Sequence, residues 1–264
     1  MKKLLLLLFM TILITSCSSD DGNSNQSPQS IIPTSGLIAY YPLEGNGNDE
    51  SGYNNDLITN GSVDFVNGFD GTDNSAVNFI NTLNGYFEMP SSSYSLINNL
   101  TSGSVSFWVK LDSQFVSNHY FNFGNSFMVK QKHGVGQDLF IGVKDGTTQV
   151  MVYLSGAFPA NESNYIVGET SLNLNTWYNI TTIWDGSQNK LYINGVLDGE
   201  ITTSVAGIPD RTNVDFFSLG SATYGTNTGT INENDSGAYG SMDNICFWDR
   251  ALTQQEISGL YPTN

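Results

Sequence analysis

Residues 175–195 read NTWYNITTIWDGSQNKLYING and contain two strand-like runs separated by turn signals. The first run, Trp177–Trp184, is rich in β-branched and aromatic residues, which favour a pleated, half-buried strand. Asp185-Gly186 interrupts it, and the second run, Lys190–Ile193, stops at Asn194-Gly195. Asn-Gly beside a strand-like run is a strong hairpin signal, because both residues tolerate positive φ. This stretch predicts antiparallel β-structure.

The same two-residue period extends over most of the chain. Ser104–Leu111 alternates, with Val105, Phe107, Val109 and Leu111 on one face. Further strand candidates are Leu37–Leu43, Ala76–Phe79, Tyr86–Met89, Leu139–Val143, Val150–Leu154, Phe216–Leu219 and Ser241–Trp248. Many short strands with turns between them are typical of an all-β sandwich or barrel.

One segment near the C-terminus has helical signals. Thr253 is a suitable N-cap, and Glu256 three residues later completes a capping box. Ile257 and Leu260 lie on one helical face, and Pro262 ends the turn. We expect one short C-terminal helix on an otherwise all-β domain.

The N-terminus has the features of an export signal. Lys2 and Lys3 precede the apolar run Leu4–Ile14, which is too short to cross a bilayer as a helix. The run is followed by Thr15-Ser16-Cys17, which resembles the cleavage site of bacterial lipoproteins. We therefore expect residues 1–16 to be removed and Cys17 to carry lipid. The alternative is an ordinary secretory signal with a chance cysteine.

Residues 17–35 predict a lipid-anchored flexible linker, since Ser18–Ser35 is rich in Ser, Asn, Asp, Gly, Gln and Pro and lacks apolar periodicity. Asp20 and Asp21 resemble the acidic signal that directs some lipoproteins to the outer face of the outer membrane, although two acids in such a segment could be coincidence. The expected location is therefore the outer membrane, facing the cell exterior.

Residues 36–264 remain for the folded part, a length that suits one large β domain or two small ones. Removal of residues 1–16 takes away two of nine basic residues and no acid, so the net charge changes from −16 to about −18. Such a surface repels nucleic acid and anionic lipid but is compatible with neutral glycans or divalent cations.

The chain contains two cysteines, so lipidation of Cys17 leaves Cys246 without an intramolecular disulfide partner. Cys246 lies in the alternating run Met242–Trp248, where a small buried hydrophobe is the expected role. A catalytic thiol is the minor alternative, because both histidines are far away in sequence.

Several segments together resemble the concanavalin A-like, laminin-G-like jelly roll over about residues 36–261. The similar segments are Gly36–Leu43 with Asp49–Gly52, Ala76–Phe79, Gly85–Pro90, Ser104–Leu111, Asn175–Gly195, and Gly240–Asn244 with Asp249–Ile257. The resemblance implies a two-sheet antiparallel jelly-roll sandwich over residues 36–264, often with one bound calcium ion. It implies no particular activity, because this fold carries lectins, enzymes and adhesion domains.

The catalytic pattern of the glucanases of this fold is broken here. Those enzymes use E-x-D-x-x-E on a strand, which presents its carboxylates to the cleft. Glu233-Asn234-Asp235 is the nearest match, but the third acid is replaced by Ala238 in a segment rich in Gly and Asn. A solvated acidic loop is the simpler interpretation, and we expect no catalytic residue.

Other catalytic motifs are missing from the sequence. No G-x-S-x-G or H-E-x-x-H occurs, and the two histidines, His119 and His133, are assigned no role. A lyase for acidic polysaccharide would need clustered cations, yet Arg211 and Arg250 are the only arginines.

A structural Ca²⁺ site is expected between the two ends of the domain. Glu44, Asn46 and Asp49 lie in a turn dense in the oxygen ligands that Ca²⁺ requires. The first and last strands of a jelly roll are neighbours, and the resemblance implies Asp49 and Asp243 as the side-chain ligands. In the alternative interpretation Asp49 holds its own turn through backbone hydrogen bonds and Asp243 faces solvent.

Aromatic side chains could form a sugar platform or fill the core. The four tryptophans lie in strand patterns, and most are expected in the core: Trp108, Trp177, Trp184 and Trp248. Four tyrosines in or beside loops are the candidates for ligand binding: Tyr53, Tyr120, Tyr165 and Tyr224.

Together these features predict a non-catalytic, lipid-anchored surface module, calcium-stabilised and carbohydrate-binding. A protein-binding adhesion or scaffold lipoprotein is the alternative, and a divergent polysaccharide-degrading hydrolase or lyase of the same fold is a third. The expected partners are a glycan or a surface protein, and the membrane through Cys17, with no nucleic acid.

Overall fold

The computed structural model describes residues 30–79, 85–96, 98, 100–114, 123–132, 136–154, 165–202, 216–222 and 236–261. Its strands are β1 Leu37–Tyr41, β2 Ile58–Gly61, β3 Asp64–Val66, β4 Ala76–Phe79, β5 Gly85–Glu88, β6 Gly103–Leu111, β7 Phe123–Lys132, β8 Gly136–Lys144, β9 Gln149–Leu154, β10 Tyr165–Ser171, β11 Trp177–Trp184, β12 Gln188–Ile193, β13 Val196–Thr202, β14 Phe216–Leu219, β15 Ser221–Ala222, β16 Ser236–Gly237 and β17 Gly240–Trp248. A 3-10 helix covers Ser91–Leu96, and the α-helix α1 covers Gln254–Leu260.

Two antiparallel sheets face each other. In the first sheet the strand order is β13-β12-β11-β6-β17-β4-β3, and β1 also pairs with β17. In the second the order is β10-β9-β8-β7-β14-β5-β2. Within the described residues the short strands β15 and β16 pair only with each other. This arrangement confirms the predicted two-sheet jelly-roll sandwich with one short C-terminal helix.

The core lies between the two sheets and follows the predicted alternation. Val105, Phe107, Val109 and Leu111 all belong to it, and none is more than 1% exposed. Phe107 meets Phe127 of the second sheet edge to face, with 5.9 Å between the ring centroids. The apolar faces of the two sheets therefore bury each other.

The outer face of the first sheet carries a second apolar cluster, built around α1. Ile257 and Leu260 pack there with Trp248 and Cys246. The Thr253 hydroxyl and the Glu256 carboxylate form the predicted capping box. Cys246 is a free thiol and 1% exposed, which confirms its predicted burial. Among the described residues no helix has the length and apolarity to span a membrane.

A charged pair lies in the interior beside β7 and β8. Lys130 and Asp138 are fully buried, with 3.6 Å between the Lys130 Nζ and an Asp138 carboxylate oxygen. Lys130 pairs with Leu139 and Gln131 with Gln137, so the register shift leaves Asp138 as an extra residue. Such a bulge can redirect a side chain. The bulge therefore brings Asp138 to the lysine.

We expect Lys130→Met to lower the free energy of unfolding by about 3–5 kcal/mol, because it leaves a buried carboxylate without its cation. Lys130→Met combined with Asp138→Leu should recover much of that loss. Urea unfolding of the full chain measures both. As a control, Lys190→Met removes the exposed pair of Lys190 with Glu200, where the ions are 3.9 Å apart, and should cost no more than about 1 kcal/mol. Equal losses in Lys130→Met and Lys190→Met would contradict a special role for the buried pair.

Candidate functional site

The closing strand β17 changes its partner along one edge. Residues Gly240–Met242 pair with β4, and residues Ile245–Trp248 pair with β1. Between them, the register with β6 shifts between Asp243 and Cys246, and Asn244 has a φ of +47°. The edge of the sheet is therefore unpaired at Asp243, where the loops that follow β1 and β3 approach it.

Asp243 presents a buried carboxylate at this gap. It is 1% exposed, and its Oδ2 accepts a hydrogen bond from the Phe69 N–H at 3.0 Å. Its Oδ1 has no hydrogen-bond partner in the part of the chain that the structure describes. A buried acceptor without a partner is costly and calls for an explanation, such as a bound ion.

The surroundings of Asp243 disfavour its charge. Burial is the largest cause and raises the pKa of Asp243 to about 7, although the Phe69 N–H opposes the shift. The negative charges of Asp70 and Glu44 raise this pKa further. A cation at the free oxygen would reverse these effects, because it favours the ionised carboxylate.

The loop 67–75, between β3 and β4, packs closely against the Asp243 carboxylate. Gly68 is buried, and a Cβ at its position would lie 2.5 Å from Asp243 Oδ2 and would also collide with the Ser75 hydroxyl. The Thr72 carbonyl oxygen accepts hydrogen bonds from the Gly68 N–H and the Ser75 hydroxyl, each at 2.9 Å. Only glycine fits here, and its lack of a side chain leaves the Ser75 hydroxyl close to the Asp243 carboxylate.

Asp49 has a different environment. Its carboxylate accepts three backbone hydrogen bonds at 2.9 Å, from the N–H groups of Tyr40, Ser51 and Asn55. Burial alone would raise the pKa of Asp49, but these hydrogen bonds hold it below its ordinary value. Asp49 thus holds its own turn and fastens it to β1, as the alternative interpretation described for this residue. The same interpretation placed Asp243 in solvent, and this part is wrong, because Asp243 is buried. A role for Asp49 as a metal ligand remains a prediction.

Tyr40 connects the Asp49 turn to the closing strand. It pairs with Cys246 across β1 and β17, and its N–H donates to Asp49. Its hydroxyl donates to the Asn244 side-chain oxygen at 2.7 Å. One residue therefore joins the turn after β1 to the irregular point beside Asp243.

The residues around Asp243 suit a hard cation that takes mostly neutral oxygen ligands. Among the described residues, no three His, Cys, Asp or Glu side chains are grouped as for a metal ion. Ca²⁺ also accepts backbone carbonyl, amide and water oxygens. Asp243 Oδ1 would supply the charged ligand, the exposed Glu44 would add negative charge nearby, and loop 67–75 would supply neutral oxygens.

The other predicted site residues are dispersed. The Asn46 amide donates to the Glu44 carbonyl oxygen, and its side-chain oxygen accepts from the Asn48 N–H. Tyr53 is 56% exposed, whereas Tyr165 packs against a cluster on the outer face of the second sheet. The remaining predictions lie outside the described residues: Cys17, Tyr120 and Tyr224, together with the acidic segment 233–235 and both histidines.

Sequence reasoning missed loop 67–75. Its sequence, NGFDGTDNS, combines Gly, Asp, Asn, Thr and Ser directly before β4, which was a predicted strand. That composition is as rich in oxygen ligands as the turn containing Asp49. Pairing of β4 with β17 beside Asp243 could not be read from the sequence.

The family follows from a match between residues 81–258 and the laminin-G-type model of the "Concanavalin A-like lectin/glucanases superfamily". The chain belongs to this superfamily. Asp243 lies inside the matched region, and the turn of Asp49 lies before it. No curated protein sequence matches this chain.

Solved structures share the fold at low sequence identity. Domain 4 of AbnA, an extracellular GH43 arabinanase from Geobacillus stearothermophilus in complex with arabinotriose, is 20% identical with a TM-score of 0.61. The alignment covers 86% of this chain and 98% of that domain. Botulinum neurotoxin type C, described as entering cells through two ganglioside molecules, is 16% identical with a TM-score of 0.59. The alignment covers 86% of this chain and 51% of the toxin chain, so this chain spans about half the length of the toxin chain.

The binding domain of Paraclostridial Mosquitocidal Protein 1 is a third neighbour, 18% identical with a TM-score of 0.57. The alignment covers 86% of this chain and 52% of that domain. At these identities the neighbours establish the concanavalin A-like fold of this chain and nothing finer.

The protonation of Asp243 predicts the direction in which the free energy of unfolding changes with pH. In metal-free protein the raised pKa means that the folded state binds more protons than the unfolded state between about pH 4 and pH 7. The free energy of unfolding should therefore fall as pH rises through this window, and stay low above it. Asp243→Asn should remove this fall and make the metal-free protein more stable than wild type at pH 8.

Thermal melting of the full chain with a chelator or with Ca²⁺ completes that test. Wild type should gain several degrees with Ca²⁺, since about 2.7 kcal/mol is expected at 100-fold excess over the dissociation constant. Asp243→Asn should lose the gain, whereas Asp145→Asn, in a turn of the second sheet, should keep it. A calcium response that persists in Asp243→Asn would refute the site.

Proposed function

We propose that this chain is a lipid-anchored binding module for carbohydrate, stabilised by Ca²⁺, on the outer face of the outer membrane. The proposal rests on membership of the superfamily and on one structural neighbour, domain 4 of AbnA. The alignment covers 98% of that domain, which is described in complex with arabinotriose. The toxin neighbours support the same kind of partner, since one is described as interacting with gangliosides.

Calcium stabilises the module by a crosslink in this proposal. Asp243 on the closing strand and loop 67–75 would hold the ion, with the charge of Glu44 nearby. Bound Ca²⁺ supplies positive charge to a buried carboxylate that otherwise prefers to be protonated. The residues themselves close the gap beside β17: Gly68 permits the approach, and Phe69 covers it by stacking on Trp108 at 4.0 Å.

The module binds without catalysis in this proposal. The broken acid pattern at Glu233-Asn234-Asp235 supports it, because retaining hydrolysis needs two carboxylates about 5 Å apart in a cleft. The strongly negative charge supports neutral sugars over acidic polysaccharides, since acidic chains would be repelled.

A glycan array probed with the full chain tests this function. The chain is purified in a detergent without a sugar headgroup and applied with Ca²⁺ and with chelator. We expect binding to neutral oligosaccharides that weakens several-fold with chelator, and no release of reducing ends. Binding to no glycan, with capture of an envelope protein instead, would favour the adhesion alternative, and new reducing ends would favour the enzyme.

The anchor is tested separately with Cys17→Ser. One lipid chain gives only marginal membrane affinity and two give stable anchoring, and Ser18–Ser35 has little apolar surface to replace them. We expect the variant to leave the membrane fraction or to remain uncleaved, as judged by fractionation and by the mass of the N-terminus. Ser18→Ala is the matched control and should stay membrane-bound. A correctly cleaved Cys17→Ser variant that stays in the membrane would refute the anchor.

A further inference from the structure

A row of five paired residues crosses the outer face of the first sheet at one end. Trp177 pairs with Lys110, Lys110 with Ser241, Ser241 with Asn78, and Asn78 with Asp64. Paired residues on antiparallel strands project from the same face. The row therefore spans β11, β6, β17, β4 and β3, and an extended ligand could lie along it.

Trp177 provides an aromatic surface at one end of this row. It is half-buried, whereas Trp108, Trp184 and Trp248 are 6%, 1% and 0% exposed. Three of the four tryptophans are therefore buried, Trp184 in the core between the sheets and Trp108 and Trp248 on the covered outer face of the first sheet, whereas Trp177 is not buried. The Lys110 Nζ lies over its ring, 5.2 Å from the centroid, and this cation–π contact helps to fix the orientation of the ring.

The opposite end of the row is polar and organised by hydrogen bonds. The Asn78 amide nitrogen donates to Asp112 at 2.8 Å and to the Ser241 hydroxyl at 2.9 Å. Asp112 and Asp64 are exposed, and Lys110 is half-buried. Lys110 can therefore donate hydrogen bonds to a ligand, and the Asn78 side-chain oxygen and the carboxylates can accept them. The hydrogen bonds from Asn78 already hold these polar side chains in place.

We propose that this row is the glycan-binding site, with Trp177 as the stacking platform and Asn78, Asp112 and Lys110 as hydrogen-bonding groups for a neutral oligosaccharide. The inference rests on the proposed carbohydrate-binding function and specifies where that function is located. A sugar presents an apolar ring face and a rim of hydroxyls that both donate and accept, which matches an aromatic ring beside mixed donors and acceptors. The carboxylates of Asp64 and Asp112 disfavour an acidic sugar, because like charges repel.

The row lies directly beside the candidate calcium site. Asp243 and Trp108 pair with each other two residues along their strands from Ser241 and Lys110, and on the same face. Phe69, whose N–H donates to Asp243, stacks on Trp108 with an interplanar angle of 8°. Loop 67–75 therefore forms a wall next to the row, so loss of calcium should weaken glycan binding by loosening that wall.

Tryptophan fluorescence of the full chain tests the site. The probes are arabinotriose and the neutral oligosaccharides retained on the array, titrated in the presence of Ca²⁺ and acrylamide as a quencher. Because Trp177 is the accessible one among the four tryptophans, a ligand stacked on it should protect the emission from quenching. Trp177→Phe should remove most of this protection while keeping part of the affinity.

Calorimetry of variants measures the contribution of each end of the row. We expect Trp177→Ala to weaken binding at least about tenfold, equivalent to about 1.4 kcal/mol, and Asn78→Ala several-fold. Ile58→Ala is the control, because Ile58 is an exposed apolar residue on the second sheet and should bind as wild type. Trp177→Phe serves as the check if Trp177→Ala shows a lower melting temperature.

The outcomes separate the site from the function. Binding by wild type with unchanged affinity in Trp177→Ala and Asn78→Ala would overturn the assignment of this row and leave carbohydrate binding intact. No binding by wild type to any of these sugars would overturn the carbohydrate function itself. Loss of binding in the row variants but not in Ile58→Ala would support both.

Discussion

Strand β17 pairs with two different strands along one of its edges, and the packing of the two ends of the domain against each other depends on this pairing. β17 pairs with β4 through residues 240–242 and with β1 through residues 245–248. Hydrogen bonding of a strand cannot pass from one partner to another without an interruption, since each partner has its own register. The interruption falls at Asp243-Asn244, where the positive φ of Asn244 accommodates the irregular backbone. The Asp243 carboxylate lies at this interruption and accepts a hydrogen bond from Phe69 in loop 67–75.

Alternation of apolar residues predicted the central strands well. Ala76–Phe79, Trp177–Trp184 and Phe216–Leu219 have the predicted bounds, because each packs one face on the core. Strand β7 was missed. Its sequence, FGNSFMVKQK, places Lys130 at a fully buried position, and a bulge in the neighbouring strand brings Asp138 close to it. A single-sequence pattern holds no information about such a long-range pairing.

The candidate site also combines residues that the sequence predicted with residues that it did not. Asp243 was singled out at the level of sequence because the resemblance to the jelly-roll family implies it as a side-chain ligand. The surroundings of that acid depend on which loops reach the gap, and loop 67–75 contributes Gly68 and Phe69. Asp49 lies in the turn after β1, and its three backbone hydrogen bonds give it a definite structural role. A role for Asp49 as a metal ligand depends on carboxylate lone pairs that are not already used in hydrogen bonds, and these cannot be identified from the sequence.

The segment before β1 lies against the end of the chain, and this affects how force passes through the domain. The Ser30 hydroxyl and the Ile31 N–H donate to the carbonyl oxygens of Leu260 and Gly259. The Trp248 indole N–H donates to the Pro33 carbonyl oxygen at 2.7 Å. Tension pulling on the N-terminus would load these contacts first, before it reached the antiparallel pair of β1 and β17. These contacts would break first, at the N-terminal end of the domain, while the sandwich core and its outer face keep their shape.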